Sequence, residues 1–231
     1  MNLTDSKRNE YTDRPWVQAY AAGVPAEINI QEVTIPDLLR ASAKKFSSRM
    51  AQNFMGYTLT FKQLDQMVDR FATALDSFNI KKGDAVAIIL PNTIQCVVAY
   101  YAILRIGAIA VMNNPLYSDR EILHQLKDSG AKLLITLDLL ANRMIALRER
   151  TSVKQIIVAS IGEYLPFPKS LLFPLVAKKK GLAADFNEGE GVYRFSEIIK
   201  KTQPSPPDVD VAFSDVAQYQ YTGGTTGVSK G

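Results

Sequence analysis

Apolar residues recur along this chain with two alternating spacings. From Thr60 onward, Phe61, Leu64, Val68, Phe71, Leu75 and Phe78 fall at steps of three and four, which predicts a helix with one core-facing stripe and Thr60 as its N-cap. The run Ala85-Val86-Ala87-Ile88-Ile89-Leu90 is apolar on both alternating faces, as expected of a strand covered on two sides. An earlier helix is predicted from Thr34-Ile35-Pro36-Asp37, with Leu38, Leu39, Ala43 and Phe46 as its apolar face, followed by a strand at 50–54. Lys81-Lys82-Gly83-Asp84 has turn chemistry, and Pro91-Asn92 ends the apolar strand and caps a helix that is apolar nearly all round to about Arg105. Gly107 stops that helix ahead of a strand at 108–112.

The alternation continues. Ser118 with Glu121 three residues on is a capping box, opening a helix that ends at Ser129-Gly130. A strand at 132–136, a helix at 139–148 and a strand at 155–159 follow. Strands alternating with helices predict an α/β fold in which a parallel sheet is flanked by helices on both faces. Beyond Ser160 the periodicity loosens among Pro166, Pro168, Pro174, Pro204, Pro206, Pro207 and the stretch Gly189-Glu190-Gly191. The expected organisation is an N-terminal extension (1–33), a parallel α/β subdomain (34–160), an irregular connector (161–212), and a strand with the start of a loop opening a second subdomain (213–231).

Composition narrows the function classes. With 27 basic and 23 acidic residues the net charge is +4, too small and dispersed for a nucleic-acid-binding surface but compatible with anionic small ligands. A single cysteine, Cys96, cannot form an internal disulfide. The polar segment 1–14 lacks the apolar core of a secretory signal, and no apolar stretch approaches the roughly 18 to 20 residues that span a bilayer. A cytoplasmic protein is expected.

The chemistry is concentrated at the end of the chain. Ala217-Gln218-Tyr219-Gln220-Tyr221 alternates like a strand and runs into Thr222-Gly223-Gly224-Thr225-Thr226-Gly227-Val228-Ser229-Lys230-Gly231. Glycines let backbone amides wrap oxygen atoms, hydroxyls donate hydrogen bonds and the lysine adds positive charge, a combination suited to a polyphosphate. The order Ser229-Lys230-Gly231 differs from the Gly-Lys-Ser/Thr of a Walker A loop, and no Gly-x-Gly-x-x-Gly fingerprint is present. A linker or hairpin tip is the plain alternative for a Gly/Thr string.

The order of residues from Thr222 to Gly231 resembles the signature loop of the adenylate-forming superfamily, which contains acyl-CoA synthetases, luciferases and peptide-synthetase adenylation domains. Three further stretches are similar to its bacterial long-chain fatty acyl-CoA synthetases: Trp16 to Asn29 with Gly23-Val24-Pro25; Leu104-Arg105-Ile106-Gly107-Ala108; and Asn114-Pro115-Leu116-Tyr117-Ser118 with Glu121, His124-Gln125-Leu126 and Asp128-Ser129-Gly130-Ala131. The resemblance implies the N-terminal portion of the large domain of such an enzyme. It implies activation of a fatty acid with ATP and Mg²⁺ and transfer to coenzyme A. Thr222, Gly223, Gly224, Thr225, Thr226, Gly227, Ser229 and Lys230 are then the residues that hold the ATP phosphates, with Thr225, Thr226 and Lys230 foremost. The family's adenine-binding and Mg²⁺-binding motifs and its catalytic lysine come later than Gly231, so no catalytic or metal residue is assigned, and the 231-residue chain is expected to be inactive alone. A homodimer is a further expectation. Rival readings are a synthetase for an aryl, medium-chain or amino acid, a non-catalytic interaction fragment and, poorest, a P-loop phosphotransferase.

Other residues carry plainer expectations. His124 and Glu121 have a spacing that can bind metal on a helix, yet without further ligands His124 is expected to be a surface or helix-packing residue. Cys96 is expected to act as a small apolar residue. Leu171-Leu172-Phe173-Pro174-Leu175-Val176 followed by Lys178-Lys179-Lys180 sets an apolar patch beside a basic cluster, suited either to a solvated loop or to peripheral contact with the inner face of a membrane.

Overall fold

The computed structural model describes residues 14–177, 179–222 and 229–231. The chain divides into two compact units, Met1–Glu32 and Val33–Gly231. In the first, Pro15–Ala19 forms a short 3-10 helix, and Arg14 pairs with Glu27 at 3.0 Å.

The second unit is organised around six parallel strands. β1 (Met50–Phe54) and β2 (Tyr57–Thr60) form a separate antiparallel hairpin. The main sheet comprises β3 (Ala85–Ile89), β4 (Ile109–Met112), β5 (Leu133–Leu137), β6 (Gln155–Ala159), β7 (Val192–Arg194) and β8 (Gln218–Gln220), in the order β7-β6-β5-β3-β4-β8. Every neighbouring pair in it is parallel. Side chains alternate across a strand, so β3 feeds both layers. Val86 and Ile88 enter the core beneath α1 (Ile35–Lys45), α2 (Phe61–Ser77) and α3 (Ile94–Arg105). Ala85, Ala87 and Ile89 enter the core beneath α4 (Asp119–Asp128) and α5 (Asp138–Arg148). This is the expected α/β class, with a parallel sheet helix-covered on both faces.

The caps that organise these helices are local. Thr60 accepts from the Gln63 amide while Gln63 reaches back to the Thr60 N–H at 2.8 Å, and Ser118 and Glu121 repeat the arrangement on α4. Two details depart from the sequence pattern. The cap of α3 is Thr93, whose hydroxyl accepts from the Cys96 amide, rather than Pro91-Asn92. On α1 the buried residues are Pro36, Leu39 and Ala43, while Leu38 is exposed.

The stretch expected to be an irregular connector, 161–212, holds more structure than its prolines suggest. It carries a short 3-10 helix (Ile161–Tyr164), α6 (Lys169–Ala177), the edge strand β7 and α7 (Phe195–Lys201). Three-residue strands and seven-residue helices are too short to repeat a hydrophobic period, so tertiary packing makes them. Phe195 is fully buried with its ring 4.8 Å from that of Phe71, and Arg70 donates to the Thr202 carbonyl at 2.6 Å, closing α7 onto α2. The final strand, β8, pairs with β4 in the same sheet. Lys82 places the segment ahead of β8 by bonding the Asp210 carbonyl and the Asp215 carboxylate, each at 2.7 Å. Gly107 beside it has φ +67°, and a Cβ there would lie 2.9 Å from the Lys82 side chain, so both backbone and space require glycine.

Candidate functional site

In a parallel sheet the carboxyl ends of the strands are where chains leave for opposite faces, and a crevice opens where they diverge. Here β3 leads into α3 on one face, and its neighbour β4 leads into α4 on the other. A cleft of about 640 Å³ lies at this end of β3, β4 and β8. Asn92, Asn113, Tyr117, Gln220 and Tyr221 supply its polar and aromatic lining. Asn113 is buried and donates to the Val111 carbonyl at 2.8 Å, while its Oδ1 has no partner among the described residues. A buried acceptor without a partner carries a desolvation cost, which sets Asn113 apart among the residues lining the cleft.

The residues after β8 form a narrow neck. The Thr222 N–H donates to the Lys230 carbonyl at 3.1 Å, and these two residues make an antiparallel bridge. Tyr221 is 5% exposed and its hydroxyl donates to the Asp128 carboxylate at 2.6 Å. Burial first, and the Asp128 carboxylate second, push this phenol above its ordinary range. His124 Nε2 lies 2.9 Å from the Ser229 carbonyl, and because a carbonyl can only accept, that nitrogen carries the hydrogen. Gln125 Nε2 approaches Ser229 Oγ at 3.3 Å. A Cβ on Gly231 would stand 2.7 Å from the Tyr221 ring, so the absence of a side chain there lets the ring close over the neck.

Of the residues expected to hold phosphate, Thr222, Ser229 and Lys230 are brought together at this neck, whereas Gly223, Gly224, Thr225, Thr226 and Gly227 lie outside the described residues. The Lys230 side chain is exposed. His124 packs edge-on to Tyr221, with ring centroids 6.4 Å apart. Cys96 is buried in α3, and burial pushes its thiol up to about 11, so it is protonated at neutral pH. Among the described residues no group of three or more His, Cys, Asp or Glu side chains is arranged to hold a metal ion. The sequence pattern singles out His124 and Glu121 but gives no role to Asn113, Gln125, Asp128 or Tyr221. The stripe Gln125, Asp128, Ser129 beside an apolar face was the available signal, and it is indistinguishable from a solvated face until β8 is placed.

A family model described as AMP-binding enzyme matches residues 39–231. The long-chain-fatty-acid–CoA ligase of Bacillus subtilis (strain 168) is 37% identical over 223 residues, covering 95% of this chain and 40% of that protein. Among solved structures, a long-chain-fatty-acid–CoA ligase from Archaeoglobus fulgidus superposes with a TM-score of 0.68 at 24% identity, over 90% of this chain and 37% of the other. An anthranilate CoA ligase in complex with anthranoyl-AMP gives a TM-score of 0.70 at 19% identity, over 87% and 34%. At these identities the two structures establish likeness of fold. The chain spans about 40% of the length of the curated relatives it matches.

Proposed function

The chain belongs to the AMP-binding enzyme family, and from that premise we propose that the protein carrying it activates a long-chain fatty acid with ATP and passes the acyl group to coenzyme A. The observation that carries this reading is the Thr222–Lys230 neck, standing beside the cleft at the carboxyl ends of β3, β4 and β8. A carboxylate is resonance-stabilised and its oxide is a poor leaving group, so thioester formation at neutral pH requires prior activation. A carboxylate oxygen attacks the α-phosphorus of ATP, the bond to the β-phosphate breaks, and acyl-AMP and pyrophosphate result. The thiol of coenzyme A then attacks the acyl carbon, and AMP leaves.

Charge dominates the first step, so positioned donors are the expected catalysts. Thr222, Gly223, Gly224, Thr225, Thr226, Gly227 and Ser229 are proposed to present amides and hydroxyls to the β- and γ-phosphates, with Lys230 as the counter-charge. Mg²⁺ bound to ATP would share the phosphate charge. The names of the curated relatives, long-chain-fatty-acid–CoA ligases, support the acyl length. ATP–pyrophosphate exchange across long-chain, medium-chain, aryl and amino acids tests the reading. Exchange greatest with long-chain acids is expected, and preference for an aryl acid would move the assignment within the family.

Peripheral membrane contact is a second element of the proposal. Leu171, Leu172 and Val176 of α6 are exposed, with Lys179 and Lys180 beyond its end. An apolar face beside lysines suits an anionic bilayer surface. No helix among the described residues is long and apolar enough to cross a membrane. Changing Lys178, Lys179 and Lys180 to glutamate is expected to weaken co-sedimentation with anionic liposomes; unchanged binding would reject the contact.

A further inference from the structure

α4 has an unusual allocation of polar groups. Ile122 and Leu126 are fully buried against the sheet, as an amphipathic helix requires. Leu123 is buried as well, and beside these apolar residues the half-buried His124, the buried Gln125 and the exposed Asp128 converge on one short segment of chain about a hundred residues away in sequence. Gln125 is completely buried, its Oε1 has no partner among the described residues, and its Nε2 meets Ser229 Oγ. Burying an amide is costly unless its polar atoms are hydrogen-bonded, which gives weight to the bond Nε2 makes to Ser229. His124 meets the Ser229 carbonyl, Asp128 takes the Tyr221 hydroxyl, and Ser129 Oγ returns to the Gln125 carbonyl at 2.6 Å, fixing the end of the helix.

We propose that His124, Gln125 and Asp128 are positioning residues for nucleotide binding: α4 is the seat on which the neck of the phosphate loop is clamped, setting the direction of Ser229 and Lys230. The argument rests on the reading of the loop as a phosphate site. Both ends of the loop are held independently. Thr222 and Lys230 are tied to each other through the backbone, Tyr221 is tied to α4 on the entering side, and Ser229 is tied to α4 through two different atoms on the leaving side. A Ser229 peptide gripped at both its carbonyl and its hydroxyl cannot rotate without losing a bond. Lys230 follows that peptide directly. Rotation of the peptide would swing the lysine away from the phosphates, so the clamp limits the conformational entropy that the loop loses on binding ATP.

The variants His124→Ala and Gln125→Leu each remove one grip, while His124→Gln keeps an N–H near the position of Nε2. In the full-length protein, calorimetric Kd values for MgATP and for a long-chain fatty acid, together with Tm, separate positioning from simple structural support. The expected result is a roughly three- to tenfold weaker ATP Kd in His124→Ala and Gln125→Leu with the fatty-acid Kd unchanged, and near-complete recovery in His124→Gln. A Gln125→Leu/Ser229→Ala double variant should be no weaker for ATP than the weaker single variant. Unchanged ATP affinity in both single variants, or equal weakening for ATP and acid, would overturn the clamp. A wild-type protein that binds ATP but supports no pyrophosphate exchange with any acid would instead overturn the synthetase reading, and the Kd comparison would still decide the clamp.

Discussion

α2 and α4 begin alike and end in different service. Each opens on a capping box and each lays an apolar stripe on the sheet. On α2, Leu64, Val68, Phe71, Ala72 and Leu75 are buried, and the polar residues of that helix join other parts of the scaffold: Asp65 and Asp69 grip the buried guanidinium of Arg105, each at 2.6 Å, and Arg70 ends α7. On the ten-residue α4 the apolar stripe is narrower, and its polar groups hold the chain that leaves β8. The first helix fixes the fold and the second fixes the segment proposed to meet ATP. Their sequence patterns differ little, because the distinction lies in what arrives from elsewhere in the chain.

Perturbing each side in turn should separate the two roles. The largest loss is expected for Phe71→Ala, which opens a cavity against Phe195: about 3 to 5 kcal/mol of stability, seen as a lower denaturant midpoint. Arg105→Ala leaves Asp65 without its cation and Asp69 with only Arg40, 3.9 Å away, and should cost about 3 kcal/mol by the same measurement, with part recovered when both aspartates become asparagine. Tyr221→Phe removes the hydroxyl's bond to the Asp128 carboxylate at 2.6 Å and its longer approach to the Gln125 carbonyl at 3.5 Å while keeping the ring, so about 1 kcal/mol of stability is expected. If Tyr221→Phe destabilised as much as Phe71→Ala, the contrast between the helices would fail.

The smallest effect belongs to a carboxyl on the α3 side. Glu163 accepts from Gln95 Nε2 at 2.8 Å, and burial raises its pKa despite that bond. The folded state therefore favours the protonated form. Its contribution is full below the unfolded value of about 4.3 and is lost as pH rises from there through the higher folded value. Glu163→Gln should flatten this dependence and leave stability at neutral pH equal or slightly higher. A thermal-melt series from acid to neutral pH that kept the same slope in the variant would exclude the assignment.

Most of the fold was legible because its strands are buried on two faces and its helices carry complete stripes with caps, as at Thr60 and Ser118. The hairpin partner Tyr57–Thr60 was not legible, since it is four residues long and merges with the cap of α2. α7 was hidden for a similar reason: seven residues give no full period, and Phe195 is buried only because Phe71 is there. At the proposed site, residue order singles out Thr222, Ser229 and Lys230, which the fold brings together at the neck. Asn113, Gln125, Asp128 and Tyr221 could not, since their roles depend on β8 lying beside β4 and bringing positions about a hundred residues apart into contact.

The central claim is that the neck between Thr222 and Lys230 serves ATP rather than the acid. Comparing full-length wild type with Lys230→Ala in ATP–pyrophosphate exchange, at subsaturating ATP and with fatty-acid binding measured in parallel, tests it most directly. A loss of exchange of at least about tenfold with an unchanged fatty-acid Kd is expected. Equal exchange rates in the two proteins would contradict it.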